Sequence, residues 1–223
     1  MKGMPYLDWP KPYLVKFLKD IDEILFIPYA GVTMSYDSYT ESVAEALAPT
    51  KTSVVGIHQV IDKQAAIASA QCIAVGGGNT FQLLAMMQKE GLLNPIYQAV
   101  NNGAAYIGWS AGSNVACPTI MTTNDMPIVQ PASFSALNLI DFQINAHYTA
   151  KTIPGHGGES RDLRIKELLV INREMKVVGL PEGKMLTFDQ DQWYLKGIES
   201  EPTLLYKGGN DPIVLAIGKV NID

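Results

Sequence analysis

Short β-branched runs alternate with helical stretches along this chain, and that alternation limits its folding more than any other feature. Ile24–Tyr29, Ser53–Ile57, Cys72–Val75 and Ala104–Ile107 read as strands, and Asp37–Leu47, Asp62–Ala70, Phe81–Glu90 and Pro95–Asn101 read as helices between and after them. The punctuation agrees. Asp37 or Ser38 offers an N-cap and Pro49 follows that helix; Asp62 caps the next; Gly91 closes the third; Pro95 stands in the first turn of the fourth, with Gly103 just past its end. Strand–helix–strand repetition marks βαβ units and a parallel sheet covered on both faces. The fold expected is therefore α/β, three-layered, with a mostly parallel, doubly wound sheet.

Beyond Ile107 the pattern loosens. Pro118–Ala136, rich in Thr, Pro, Asn and Ser, reads as a long loop, and loops of that length in a compact domain usually carry function. Phe142–Asn145 reads as a strand, Ser160–Ile171 as a helix and Val177–Leu180 as a strand. From Lys184 the helical pattern stops. Lys184–Phe188, Trp193–Lys196, Thr203–Tyr206 and Ile213–Ile217 read as short strands, predicting a small antiparallel C-terminal extension. No repeat, low-complexity tract or linker divides residues 1–223, so one domain is expected.

With 47% hydrophobic and 17% charged residues, the 223-residue chain has ample material for a core. A net charge of −5 without a basic run argues against nucleic acid as a partner. No apolar run approaches the ~20 residues a membrane span needs, and Met1–Pro5 lacks a signal-peptide core. A soluble cytoplasmic protein, monomer or homodimer, is the expectation. Cys72 and Cys117 are too few and too far apart for a disulfide framework or a zinc site, and Cys72 reads as a small buried hydrophobe.

Gly108-Trp109-Ser110-Ala111-Gly112 follows the strand ending at Ile107 and precedes a stretch that can be helical. Gly-x-Ser-x-Gly in that setting is the nucleophile-elbow pattern of serine hydrolases. The turn is tight enough to exclude side chains on both sides of the serine, and the following helix directs its N–H groups at a developing negative charge. A plain βα turn with an inert serine is the competing reading. The Ala111 N–H is one expected oxyanion donor. Gly76-Gly77-Gly78, between a buried strand and a helix, is suited to supply the second. A phosphate loop fits less well, since the P-loop Lys and the G-x-G-x-x-G spacing are missing.

A serine nucleophile needs a base, and that base an acid. His58 and His147 both follow strands, where sites in open α/β sheets gather; His156, among glycines, is a weaker candidate. For the acid, Asp125 lies in the long loop and Glu182 follows Val177–Leu180. The order Ser110, Asp125, His147 is that of α/β-hydrolases, but the intervals are far too short, which points to a convergent site on another sheet. The spacing alone leaves base and acid open.

Phe26-Ile27-Pro28-Tyr29-Ala30-Gly31-Val32-Thr33, Gly76-Gly77-Gly78-Asn79-Thr80-Phe81, Gly108-Trp109-Ser110-Ala111-Gly112, Thr122-Thr123-Asn124-Asp125-Met126-Pro127 and Gly179-Leu180-Pro181-Glu182-Gly183 together resemble the peptidase E family of α-aspartyl dipeptidases. These are serine peptidases on a flavodoxin-like sheet similar to that of class I glutamine amidotransferases. The resemblance runs from about Gly3 to Trp193. It implies hydrolysis of Asp-Xaa dipeptides, with Ser110 as nucleophile, His147 as base, Asp125 as acid and Glu182 close behind as the alternative. It implies Gly78 and Ala111 as oxyanion donors, Asn79 and Arg161 as substrate-binding residues, and no metal or organic cofactor. A cyanophycinase-like β-aspartyl peptidase and a non-catalytic aspartyl-peptide-binding paralogue are the alternatives.

Arg161 also stands out without the resemblance. It shares a helical face with Ile165, Leu168 and Leu169, so it extends the inward stripe. A cation at a helix start opposes the dipole, at about 0.3–1 kcal/mol. A local pair with Glu159 or Asp162 is the plain alternative; bidentate capture of a carboxylate is the functional one. One departure from the family is expected to matter. Its members usually open on a buried strand, whereas this chain starts at about the loop that follows, Gly3-Met4-Pro5-Tyr6-Leu7. The usual first strand is thus expected to be missing from inside the sheet, leaving a gap that strands close or that another segment or partner chain fills.

Overall fold

The computed structural model describes residues 3–151 and 158–222. Helix α1 (Lys11–Phe17) leads into strand β1 (Glu23–Ile27), α2 (Tyr36–Leu47), β2 (Ser53–Gly56), α3 (Lys63–Ser69) and β3 (Cys72–Val75). Helices α4 (Thr80–Lys89) and α5 (Leu93–Asn101), strand β4 (Ala105–Gly108) and short α6 (Ala111–Ala116) follow. These strands form one parallel sheet in the order β2-β1-β3-β4. All four residues of β3 are buried, as a central strand covered on both faces requires. Leu83, Leu84 and Met87 of α4 are fully buried; by area alone each such side chain favours folding by about 1.5–3 kcal/mol. The caps follow the sequence at Asp62, which accepts from Ala65 N–H, but α2 starts earlier than Asp37 and is capped by Ser35.

Past α6 comes the predicted long loop, its only ladder contact among the described residues a bridge between Thr119 and Ser135. Strand β5 (Gln143–Ala146), helix α7 (Arg161–Ile171) and β6 (Lys176–Leu180) then begin a second sheet. Strands β7 (Lys184–Asp189), β8 (Gln192–Gly197), β9 (Thr203–Lys207), β10 (Ile213–Leu215) and β11 (Gly218–Val220) complete the described elements. The second sheet runs β10-β9-β6-β5, and β11-β8-β7 forms a separate antiparallel sheet. Two differences from expectation appear. Strand β9 joins the second sheet antiparallel to β6, and β10 pairs antiparallel with β9, instead of both joining the C-terminal extension. The parallel strands also do not make one sheet: β4 and β5 each end their own, with no ladder between them. Helix α6 spans this divide, packing on both strands, and Asn114 Nδ2–H donates to the Ile144 carbonyl at 3.0 Å. Among the described residues no helix is long and apolar enough to cross a membrane.

Candidate active site

Two strand registers assemble the site. Val75 pairs with Gly108, so the chain leaving β3 at Gly76 runs beside the chain leaving β4 at Trp109. Ala146 pairs with Leu180, so His147 and Glu182 emerge side by side from the carboxyl ends of β5 and β6. Tyr148 N–H donates to the Leu180 carbonyl at 3.1 Å, and Asn124 Nδ2–H to the Ala146 carbonyl at 3.0 Å, which pins the backbone on both sides of His147.

Ser110 is the N-cap of α6, at φ 53° and ψ −113°, a strained conformation for a residue with a side chain. The flanking glycines are sterically required. A Cβ on Gly112 would lie 2.1 Å from the Val75 carbonyl oxygen, and one on Gly108 would lie 2.4 Å from the Gly112 carbonyl oxygen. Ser110 Oγ lies 2.7 Å from His147 Nε2, and His147 Nδ1 is hydrogen-bonded to Glu182 Oε1. An ionised carboxylate only accepts, so Nδ1–H donates to Glu182 and leaves Nε2 to accept the Ser110 hydroxyl proton. The His147 and Glu182 side chains are each 51% exposed, so a substrate reaches them.

The Gly78 and Ala111 N–H groups donate to no acceptor among the described residues. Ala111 opens α6, where first-turn amides are free and the helix dipole favours an anion. Gly78 has φ 134°, and a Cβ there would lie 2.2 Å from the Ala30 carbonyl oxygen, so only glycine fits. A Cβ on Gly77 would meet Ser110 Cβ at 2.9 Å, so the glycine loop lies directly against the serine.

Two expected site residues have other tasks. Asp125 Oδ2 accepts from Thr80 N–H and Thr80 Oγ1–H, both at 2.7 Å, and from Thr123 Oγ1–H at 3.2 Å. Its charge thus faces the start of α4, and Glu182, the alternative, is the carboxylate hydrogen-bonded to His147. Asn79, expected at the substrate, is the N-cap of α4: its Oδ1 accepts from Gln82 N–H at 3.0 Å and its Nδ2–H donates to the Met126 carbonyl at 2.9 Å. Of the other histidines, only His58 is described. His58 pairs with Asp37 at 2.9 Å, and His156 lies outside the described residues.

Arg161 opens α7 half-buried, above the buried Ile165 and Leu169. The local ion pairs are absent among the described residues. Asp162 Oδ1 accepts the Tyr148 and Tyr206 hydroxyls instead, and Glu159 lies 3.9 Å from Arg164. Arg161 Nη1 is buried without a hydrogen-bond partner among the described residues, and burial, with Arg164 nearby, lowers the guanidinium pKa. A half-buried guanidinium with an open donor of this kind attracts a carboxylate.

Neither thiol competes with Ser110. Cys72 and Cys117 are buried and unbridged, and burial pushes each up to about 12. Among the described residues no group of three or more His, Cys, Asp or Glu side chains converges to hold a metal ion. Sequence reasoning missed Tyr6 and Tyr39, whose hydroxyls meet at 3.2 Å beside the glycine loop, Tyr39 donating to the Gly77 carbonyl at 2.8 Å. Tyr39 lies on the visible apolar stripe of α2, but nothing local announced what its hydroxyl would reach.

Comparison with known proteins identifies the family. The model of peptidase family S51 matches residues 1–196. Proteins named peptidase E from Shigella flexneri and from Escherichia coli K12/DH10B are each 48% identical over 218 residues, spanning 98% of this chain and 94% of theirs. The fold is shared with a candidate peptidase E protein from Listeria monocytogenes EGD-e, at TM-score 0.63 and 23% identity over 84% of this chain and 93% of that one. It is shared also with a peptidase from an acI-B1 Actinobacterium, at TM-score 0.58 and 16% identity over 92% of each. The chain belongs to peptidase family S51 and is a serine peptidase.

Proposed function

We propose that the protein hydrolyses dipeptides with an N-terminal aspartate, Asp-Xaa, through an acyl-enzyme on Ser110. The observation that carries the reaction is the hydrogen-bonded line Ser110–His147–Glu182. Ser110 Oγ attacks the peptide carbonyl carbon as His147 Nε2 takes its proton. The Glu182 carboxylate stabilises the imidazolium that forms and fixes its tautomer. The carbonyl oxygen becomes an oxyanion that accepts from the Gly78 and Ala111 N–H groups. Collapse breaks the C–N bond, and His147 returns the proton to the leaving amine. Water, deprotonated by His147, then releases aspartate and regenerates Ser110. Asp125 keeps the loop and the start of α4 in place.

Arg161 Nη1, buried and without a partner among the described residues, supports the substrate class, because a guanidinium pairs well with the two oxygens of a carboxylate. The test is hydrolysis of Asp-Leu, Ala-Leu and β-linked Asp-Leu by the wild type and Ser110→Ala. The reading predicts turnover of Asp-Leu alone, abolished in the variant. Full turnover by Ser110→Ala overturns the nucleophile, and preference for the β-linked peptide overturns the substrate.

A further inference from the structure

A line of hydroxyls joins the two halves of the oxyanion site from outside it. The Trp109 indole N–H donates to Tyr6 Oη at 2.8 Å, Tyr6 donates to Tyr39 Oη at 3.2 Å, and Tyr39 donates to the Gly77 carbonyl at 2.8 Å. Its direction is fixed at both ends, since an indole N–H only donates and a carbonyl only accepts. Each tyrosine then has one proton to give and one lone pair to fill, and both are used. Burial raises both tyrosine pKa values, so the hydroxyls stay protonated donors. Such chains are mutually polarising, so each bond strengthens the next.

The ends of this line adjoin the reacting groups. Trp109 precedes Ser110, and Gly77 precedes Gly78. In a trans peptide C=O and N–H point in opposite directions. Tyr39, by holding the Gly77 oxygen, turns the Gly78 N–H away from itself and leaves it unpaired. The packing is built for this. Phe26 stacks on Trp109 at 5.9 Å between centroids and meets the Tyr39 ring edge-on at 5.1 Å. Gly76 leaves room for Tyr39, since a Cβ there would lie 2.6 Å from its hydroxyl oxygen. Tyr6 comes from the segment before α1, and the residue is 43% exposed, so neither the ordinary core nor local chain connectivity explains its hydroxyl contacts.

We propose that Tyr6 and Tyr39 are positioning residues for the oxyanion hole, which set the Gly77–Gly78 peptide relative to the Trp109–Ser110 turn through the line Trp109–Tyr6–Tyr39–Gly77. This rests on the reading of Ser110 as nucleophile and Gly78 N–H as oxyanion donor. The N-terminal segment thereby contributes to turnover without touching substrate.

The experiment compares Tyr6→Phe, Tyr39→Phe and the double variant in the full chain, with Asp-Leu as substrate. Loss of a complete oxyanion donor costs about 10²–10³ in kcat, so a misaimed donor is expected to cost about 10-fold for Tyr6→Phe and up to about 10²-fold for Tyr39→Phe. KM should stay within about twofold, because the groups act on the transition state. The double variant should be no slower than Tyr39→Phe, since Tyr6 acts through Tyr39. The Trp109 indole N–H resonance should move in Tyr6→Phe, reporting the lost bond. Trp109→Phe keeps a ring over Phe26 and removes the same donor; it should lower kcat in the same direction, which covers the case of a tyrosine variant that fails to fold. Unchanged kcat in these variants with a displaced indole signal, or a raised KM at constant kcat, overturns the inference. Those outcomes are separate from failure of the nucleophile assignment, which shows as activity in Ser110→Ala.

Discussion

Ser110 and His147 both stand at positive φ, 53° and 55°, and their side chains meet at 2.7 Å between Oγ and Nε2. Each conformation costs of order 1–3 kcal/mol for a residue with a Cβ and persists because its surroundings hold it. Around Ser110 the backbone is clamped by Ser113 Oγ–H on the Gly108 carbonyl at 3.0 Å and by the Tyr106 hydroxyl on the Gly112 carbonyl at 2.7 Å. Reactive geometry and backbone strain therefore coincide. Ser110→Gly should be more stable than Ser110→Ala by about 1 kcal/mol, because glycine relieves the strain while alanine keeps it. For a chain of this size that is about 2–4 °C in Tm. Both variants should be inactive. Equal melting temperatures would show that the turn stores no strain.

The two candidate acids separate by experiment. Glu182→Gln keeps the shape of the side chain but removes the charge that stabilises the His147 imidazolium, so kcat should fall about 10²–10⁴-fold. Its effect on Tm should be small, because the pair is half exposed. Asp125→Asn should do the reverse. It weakens the contacts to Thr80 and the charge at the start of α4, which costs about 1–2 kcal/mol of stability. Its kcat should fall far less. A larger kcat loss in Asp125→Asn than in Glu182→Gln contradicts this division.

The alternation of strands and helices made the parallel sheet legible, and β3 falls at Cys72–Val75 as its apolar run indicates. The serine turn was legible because Gly108 and Gly112 flank it at fixed spacing, Gly108 imposed from within the turn and Gly112 by the neighbouring β3. The acid was not legible. Asp125 and Glu182 both occupy plausible loops, and only the β5–β6 register, with Ala146 opposite Leu180, brings Glu182 beside His147. Register depends on packing across the sheet, which spacing along the chain does not encode. Helix α1 was missed because it follows Pro10, spans seven residues and buries none of them. The placement of β9 and β10 was missed because short strands carry no record of which edge they join. Tyr6 meets Trp109 across 103 positions, a contact without any local signature.

Glu201 gives the fold a defined acid sensitivity near His147. Its carboxylate accepts from Thr149 Oγ1–H and Ala150 N–H at 3.0 Å and faces Lys151 Nζ at 3.2 Å. Partial burial works against ionisation, but the Ala150 N–H, the Thr149 hydroxyl and the Lys151 ammonium outweigh it and hold the carboxyl below its ordinary 4.5. A depressed folded pKa stabilises the fold above the ordinary value, and that contribution is lost as pH falls through the folded one. Wild type should therefore melt above Glu201→Gln at neutral pH, and the difference should shrink on acidification below the ordinary value. A difference that stays constant or grows in acid assigns the stabilisation to something other than this charge.

The proposed role of Arg161 in binding substrate sets preference against stability. The buried Nη1 lacks an acceptor among the described residues, so a ligand carboxylate would fill an open hydrogen bond there. Arg161→Met keeps the apolar stem over Ile165 and Leu169 and removes the charge. kcat/KM for Asp-Leu should drop about 10²-fold, the worth of a charged hydrogen-bonded contact of ~3 kcal/mol. The melting temperature should hold or rise, because an uncompensated buried nitrogen has been removed. Free succinate, a dicarboxylate without a scissile bond, should raise the Tm of wild type by binding the folded state, and should not raise that of the variant. Retained preference for Asp-Leu over Asn-Leu in Arg161→Met, with the succinate shift intact, places carboxylate recognition elsewhere in the site.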